Sequence, residues 1–428
     1  MHKAIRSLVF LIAMLFSDLS RAGSCDSTFV MGLRATIPRL SIVGGFADVN
    51  YNGKLDIVGR SDTIAGPFHV RYLSVFERDS GFSWREIHKG NGNHFPNWVG
   101  DSDHDGLVEV FMRNPSIDRL DLWESIDSTR LPLPPIDPWQ QDSLGRIIWS
   151  YSMGGLGGDA QSPFVGDVDG NGRAEFIFYA GDSVGPTFDV WEIPANNTFR
   201  RFAGVRRLTS QWGSVIVGNF DDDGYPEFAS GSQSGNVYIY EYQPPDSFAL
   251  RQVLPAGAAY HGTLLHDVNR NGREEFVYGL GIPWMDFQLY TMFEATGNNQ
   301  YAVIWRDTVY EFPLGLPVFR AGDLDGDGVE ELVVYTDVAL RAYKWYPQTG
   351  FRCVWRRHGG NENFRVFDSD NNGKSEIWVG NEPTYVYEFD GLTSVGREES
   401  APSKTLALSQ NYPNPFNART RIRFALPR

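Results

Sequence analysis

One acidic pattern recurs seven times along the chain and aligns without gaps. Each copy carries Asp or Asn at positions 1, 3 and 5, Gly at position 6 and Asp or Glu at position 9. The first copy holds Asp48, Asn50, Asn52, Gly53 and Asp56, and the second Asp101, Asp103, Asp105, Gly106 and Glu109. The third has Asp167, Asp169, Asn171, Gly172 and Glu175, and the fourth Asn219, Asp221, Asp223, Gly224 and Glu227. Then come Asp267, Asn269, Asn271, Gly272 and Glu275, and Asp323, Asp325, Asp327, Gly328 and Glu331. Asp368, Asp370, Asn372, Gly373 and Glu376 close the series. Position 10 is always apolar: Ile57, Val110, Phe176, Phe228, Phe276, Leu332 and Ile377. A chain built this way folds as a repeat, because one such unit cannot bury its apolar face alone.

The spacing suits a hard cation. Calcium takes six to eight oxygen ligands, and alternate positions of a curled loop aim carboxylate or amide oxygens at one centre. Glycine at position 6 permits the left-handed turn that brings the chain back. An EF-hand opens similarly but needs its acid at position 12 and helices on both sides. Here the acid falls at position 9, and the flanks are strand-like: Val99-Gly100 leads in, and Phe176 to Phe178 or Leu332 to Tyr335 leads out. The competing reading is an acidic turn without metal, since Asp, Asn and Gly favour turns anyway. Seven copies in one register favour the ion. The charge agrees: 21 of the 53 acidic residues occupy these positions, and seven divalent ions would offset most of the formal net charge of −15. Loops two and six carry four acids each and are expected to hold calcium hardest. Loops one and five carry two and are expected to release it first.

Loop starts at 48, 101, 167, 219, 267, 323 and 368 are on average about 53 residues apart, which suits a four-stranded blade. The spacing predicts an all-β, seven-bladed β-propeller of four-stranded antiparallel blades. Third strands are expected at Val70 to Phe76, Phe188 to Ile193, Val237 to Tyr242 and Tyr385 to Phe389. Outer strands are expected around Trp84, Trp149, Trp305 and Trp355. Blade seven lacks an evident outer strand, so Phe29 to Ala35 is expected to fill that place and seal an open edge. Cys25 and Cys353 are the two cysteines. Spacing leaves open whether they pair, and the expected closure brings Cys25 towards the blade that holds Cys353.

The repeat resembles the FG-GAP or VCBS repeat of integrin α-type propellers over roughly residues 28–390, within an expected propeller domain of residues 23–390, and Gly100, Gly166, Gly218 and Gly322 keep a glycine before position 1. The resemblance implies calcium binding, up to seven ions, and extracellular adhesion or ligand binding. Some members of the family are polysaccharide lyases, so calcium-dependent lyase activity is the alternative. Residues 1–22 read as a secretory signal peptide, with basic His2, Lys3 and Arg6, an apolar run from Leu8 to Phe16, and Ser20 and Ala22 before the cleavage point. Residues 391–405 read as a linker. Residues 406–428, with Asn411-Tyr412-Pro413-Asn414-Pro415-Phe416-Asn417, resemble the start of the immunoglobulin-like sorting domain of type IX secretion, cut short at Arg428. The protein is therefore expected to be secreted or held at the cell surface, with no membrane span.

The acidic balance argues against a nucleic-acid partner, because phosphate binding needs a basic stripe. No nucleophile elbow, zincin helix or phosphate loop occurs in the chain, so no catalytic residue is assigned. In a four-stranded blade the acidic loops share one end of the ring. The opposite end is expected to offer His94, Trp98, Trp212, Tyr260, His261 and Trp284 to an extracellular glycan or protein ligand. A wedge between blades is the alternative role for Trp98 and Trp212.

Overall fold

The computed structural model describes residues 25–393 except 26, 66–67, 90–93, 115–118, 126–144, 153–163, 183–184, 208–212, 258, 282–286, 310–316, 337, 361–362 and 381. It also describes residues 407–408 and 424–425. The signal-peptide segment lies outside them, as does nearly all of the segment from 406 onwards.

Seven four-stranded antiparallel sheets follow one another along the chain. Blade one comprises Leu40–Ala47, Asp56–Ala65, Phe68–Ser80 and Ser83–Lys89; blade two, Phe95–Gly100, Glu109–Asn114, Arg119–Ser125 and Gly145–Ser152. Blade three comprises Phe164–Gly166, Glu175–Asp182, Gly185–Ala195 and Thr198–Arg206; blade four, Val215–Gly218, Glu227–Gly231, Asn236–Gln243 and Ser247–Pro255. Blade five runs through His261–Leu265, Glu275–Gly281, Gln288–Gly297 and Gln300–Val309, and blade six through Val318–Gly322, Glu331–Thr336, Ala339–Tyr346 and Gly350–His358. Blade seven takes Phe364–Phe367, Glu376–Val379 and Thr384–Leu392, and its fourth strand is Phe29–Ile37 from the start of the chain. First strands of consecutive blades neighbour one another at six of the seven blade junctions, blade seven meeting blade one, so they line the axis. The chain is thus a seven-bladed β-propeller. No helix of the described residues is long and apolar enough to cross a membrane.

The N-terminal strand closes the ring as its alternation predicts. Its inward Phe29 ring lies 4.7 Å from that of Phe389. Hydrogen bonding to the third strand of blade seven removes an edge that would otherwise be open to pairing. Cys25, just before this strand, is disulfide-bonded to Cys353 on the outer strand of blade six. The bond therefore fixes the closing strand to the neighbouring blade.

Apolar side chains interleave between blades. The seven position-10 residues are all at most 2% exposed, and so are those at position 2: Val49, Ser102, Val168, Phe220, Val268, Leu324 and Ser369. The Phe111 and Phe176 rings meet at a tilt between blades two and three, 4.8 Å apart, and Phe220 and Phe276 join blades four and five at 4.8 Å. Trp84 and Trp378 meet edge-on at 5.6 Å across the closing seam. Each such ring removes well over 100 Å² from water, worth about 2–3 kcal/mol per buried side chain. The glycine before position 1 has a packing reason at two places. A Cβ at Gly166 would stand 2.8 Å from Val217, and one at Gly322 2.5 Å from Val366, each on the next inner strand.

Residues 392–428 form a separate unit, in which Ala407–Leu408 pairs antiparallel with Phe424–Ala425.

Candidate metal centres and the opposite end of the ring

Every acidic loop joins the first and second strands of its blade, and the position-9 acid is the first residue of the second strand. Two positions are left-handed in every loop. Position 6 is always glycine, with φ between 80° and 87°. Position 4 shares that conformation, whether it is Gly170, Asn371 or the bulkier Tyr51. Side-chain oxygens hold the curl: the position-5 oxygen accepts the N–H of position 7 in all seven loops, as from Leu107 to Asp105 at 2.7 Å.

The position-9 acid does something different. It is fully buried in all seven loops, and one of its oxygens accepts the position-2 N–H, as in Val168 to Glu175 at 2.9 Å. In five loops the other oxygen, on Asp56, Glu109, Glu175, Glu227 and Glu376, is buried with no hydrogen-bond partner. Burial pushes these carboxyls upward, Asp56 and Glu376 to about 7, Glu109 and Glu175 to about 8 and Glu227 to about 9. An unmade hydrogen bond at a buried charge costs more than the usual 1–3 kcal/mol for a neutral group. Such a carboxyl keeps its charge in this place only beside a neutralising positive group, and otherwise takes up a proton.

A second set of acids escapes sequence reading. The third-strand residue opposite position 9 is glutamate in six blades. Asp56 faces Glu77, Glu109 faces Glu124, Glu227 faces Glu241 and Glu275 faces Glu294. Glu192 and Glu388 take the same place one residue beyond the pairs Phe176–Trp191 and Ile377–Tyr387. Like charges directly opposite are unfavourable unless something positive lies between them. Outer-strand or closing-strand arginines take one side of four of these glutamates: Arg85 on Glu77, Arg200 on Glu192, Arg251 on Glu241 and Arg34 on Glu388. The offset from loop to third strand varies from blade to blade, which hid this set in the sequence.

The loops differ in how far their acids converge. Ligand oxygens lie within 4.8 Å of one another for Asp101, Asp103, Asp105 and Glu109, and for Asp167, Asp169 and Glu175. The same holds for Asp221, Asp223 and Glu241, for Asp323, Asp325 and Glu331, and for Asp368, Asp370 and Glu376. In loop five the amides of Asn269 and Asn271 reach Glu294 at 2.5 and 2.8 Å, so neutral donors bridge the acids. In loop one Lys54 binds Glu77 at 2.9 Å. Loops two and four are also capped from the next blade. Asn197 donates to Asp103 and Glu124, and Asn299 to Asp221 and Glu241.

At the other end of the ring the expected ligand residues divide. His94 meets Asn114 at 3.3 Å and lies 3.8 Å from Asp121. Trp98 lies within an inner strand and packs edge-on against Phe176 of the next blade, 5.8 Å between rings. That is the contact expected of a wedge between blades. Tyr260 is buried, and its ring stands edge-on to His261 at 4.8 Å. His261 contacts the Ser214 hydroxyl at 2.9 Å, and burial, then the charge of Arg320, push its pKa down to about 4. Trp212 and Trp284 lie outside the described residues. Sequence reading missed Arg320 and Arg365, which hold the same place, three residues before the loop, on the inner strands of blades six and seven. Each donates to the carbonyl of the residue before it, Phe319 or Phe364, and among the described residues neither has a carboxylate partner. Burial lowers Arg320 to about 10; burial, then the like charge of Arg320, lowers Arg365 to about 9.

The fold and these loops define a class: a seven-bladed propeller with an acidic loop at the same corner of every blade. No protein-family description matches the chain, and no curated protein does. Among solved structures it is similar to an Agrocybe aegerita lectin described as recognising non-reducing terminal N-acetylglucosamine. Identity is 12%, with 80% of this chain and 85% of that one covered and a TM-score of 0.45. BBS1N in complex with ARL6DN, soaked with lead, is similar at 9% identity, covering 88% of this chain and 98% of that one, with a TM-score of 0.47.

Proposed function

We propose that the protein is an extracellular, calcium-stiffened propeller that binds an acidic glycan at the end of the ring opposite its acidic loops. The observation that carries the calcium part is the second oxygen of the position-9 acid, buried and unpartnered in five loops. The donors are carboxylate and amide oxygens, the set a hard cation prefers. Positions 1, 3, 5 and 9 would hold the ion, and when bound it would neutralise charges that repel one another across the blade corner. The loops would then fix where each inner strand begins. The Cys25–Cys353 disulfide supports export, because such bonds persist in oxidising compartments. The segment from Asn411 to Asn417 is consistent with type IX export.

Arg320 and Arg365, on inner strands of blades six and seven that line the ring axis, with His261 on the inner strand of blade five, support an anionic ligand. Guanidinium groups pair with carboxylates in fixed, often bidentate geometry, and among the described residues these two have no acid partner. Neutral His261 adds a hydrogen-bonding group rather than a charge. The test is a panel of acidic and neutral polysaccharides, followed by both binding and ultraviolet absorbance. Binding to acidic members that drops at least tenfold in Arg320→Ala or Arg365→Ala supports the reading. A steady rise in absorbance would mark an eliminating lyase instead, and binding unaffected by either change would place the ligand elsewhere.

A further inference from the structure

Blade six breaks the pattern of the other six. Its third-strand residue opposite Glu331, one beyond the pair Leu332–Tyr343, is Lys344 where every other blade has glutamate. The Lys344 ammonium reaches into the loop. Nζ stands 2.8 Å from Asp325 Oδ2, 2.7 Å from Asp327 Oδ2 and 2.9 Å from Glu331 Oε1. Those are the carboxylates of positions 3, 5 and 9. The Glu331 oxygen that Lys344 holds is the one left orphaned in five other loops. The side chain is 16% exposed, so this is an interior contact and not a surface pair.

We infer that Lys344 is a built-in cation that takes the place of the metal in blade six, so the ring takes up at most six ions. The inference rests on the calcium reading above. An ammonium has three N–H donors, and here each has a carboxylate acceptor. A divalent ion entering the same centre would meet a positive charge within hydrogen-bond distance of three of its ligands. Moving Lys344 out would also cost its three charge-assisted bonds. Loop six, with as many acids as loop two, is therefore the loop that needs no ion. Acid count alone ranks it among the strongest sites, and the sign of one residue on the third strand reverses that rank.

The test counts calcium per molecule by equilibrium dialysis at saturating calcium with elemental analysis. Wild type is expected to hold one ion fewer than Lys344→Glu, which carries the residue found in the other blades. Paired variants guard against misfolding. Asp325→Asn with Asp327→Asn in loop six is expected to leave the wild-type count unchanged, whereas Asp103→Asn with Asp105→Asn in loop two lowers it by one. Seven ions in wild type, or a count that falls with the loop-six pair, would overturn the inference and leave the calcium reading intact. A count of zero in every protein would overturn both.

Discussion

Glu109 stands directly opposite Glu124 on the neighbouring strand of blade two, and both are at most 1% exposed. Two acids so placed are a liability without a cation, because neither can move its charge to water. Glu109→Gln should therefore raise the stability of the calcium-free protein, by about 1–3 kcal/mol in denaturant titration. The same change should shrink the stabilisation that calcium adds. A variant less stable than wild type in chelator would show that Glu109 is already satisfied without an ion.

The closing strand invites a second measurement. The Cys25–Cys353 bond spans 328 residues of chain and ties the strand that completes blade seven to blade six. Loop closure on that scale restricts the unfolded chain strongly, so Cys353→Ser should cost about 2–5 kcal/mol. Limited proteolysis should then cut first near the start of the chain, where Phe29–Ile37 is held by the sheet alone. Equal stability with and without reductant would contradict this.

His261 gives a pH signature. Its pKa is pushed below the ordinary value of 6.5 to about 4, so the folded state disfavours the proton that the unfolded chain accepts. The stability it contributes is present above pH 6.5 and is lost as the pH falls towards 4. In His261→Gln that component disappears, so the melting temperatures of the two proteins should diverge differently on each side of this window. The check is a melting series from pH 8 to pH 4, read as the difference between wild type and variant. A difference that does not change with pH would show that His261 stays hydrated in the fold.

Much of this molecule is written in local spacing. Loop register gave the blade count, and alternation in Phe29 to Ala35 placed the closing strand, because both signals depend on neighbours a few residues apart. The tryptophans Trp84, Trp149, Trp305 and Trp355 all fall on outer strands as their spacing predicts. What spacing could not carry was cross-strand register. The offset from loop to third strand changes with hairpin length, so Glu77, Glu124, Glu192, Glu241, Glu294 and Glu388 form a series only after the strands pair. Lys344 is invisible for the same reason. Trp98 illustrates the other limit: spacing allows it both as ligand surface and as a wedge, and only the packed strands show its contact with Phe176. Arg320 and Arg365 lie at equivalent places in adjoining blades, yet no sequence signal marked them as having no acid partner among the described residues.

The most direct test of the account is thermal melting of the whole protein in chelator, then with calcium restored. Orphaned oxygens on Asp56, Glu109, Glu175, Glu227 and Glu376 predict a large, reversible loss of melting temperature in chelator, with recovery that saturates as calcium is added. Magnesium should restore less, since it demands a tighter octahedral shell than these loops shape. Identical melting with chelator and with millimolar calcium would contradict the account, because the buried carboxylates would then be satisfied by the protein alone.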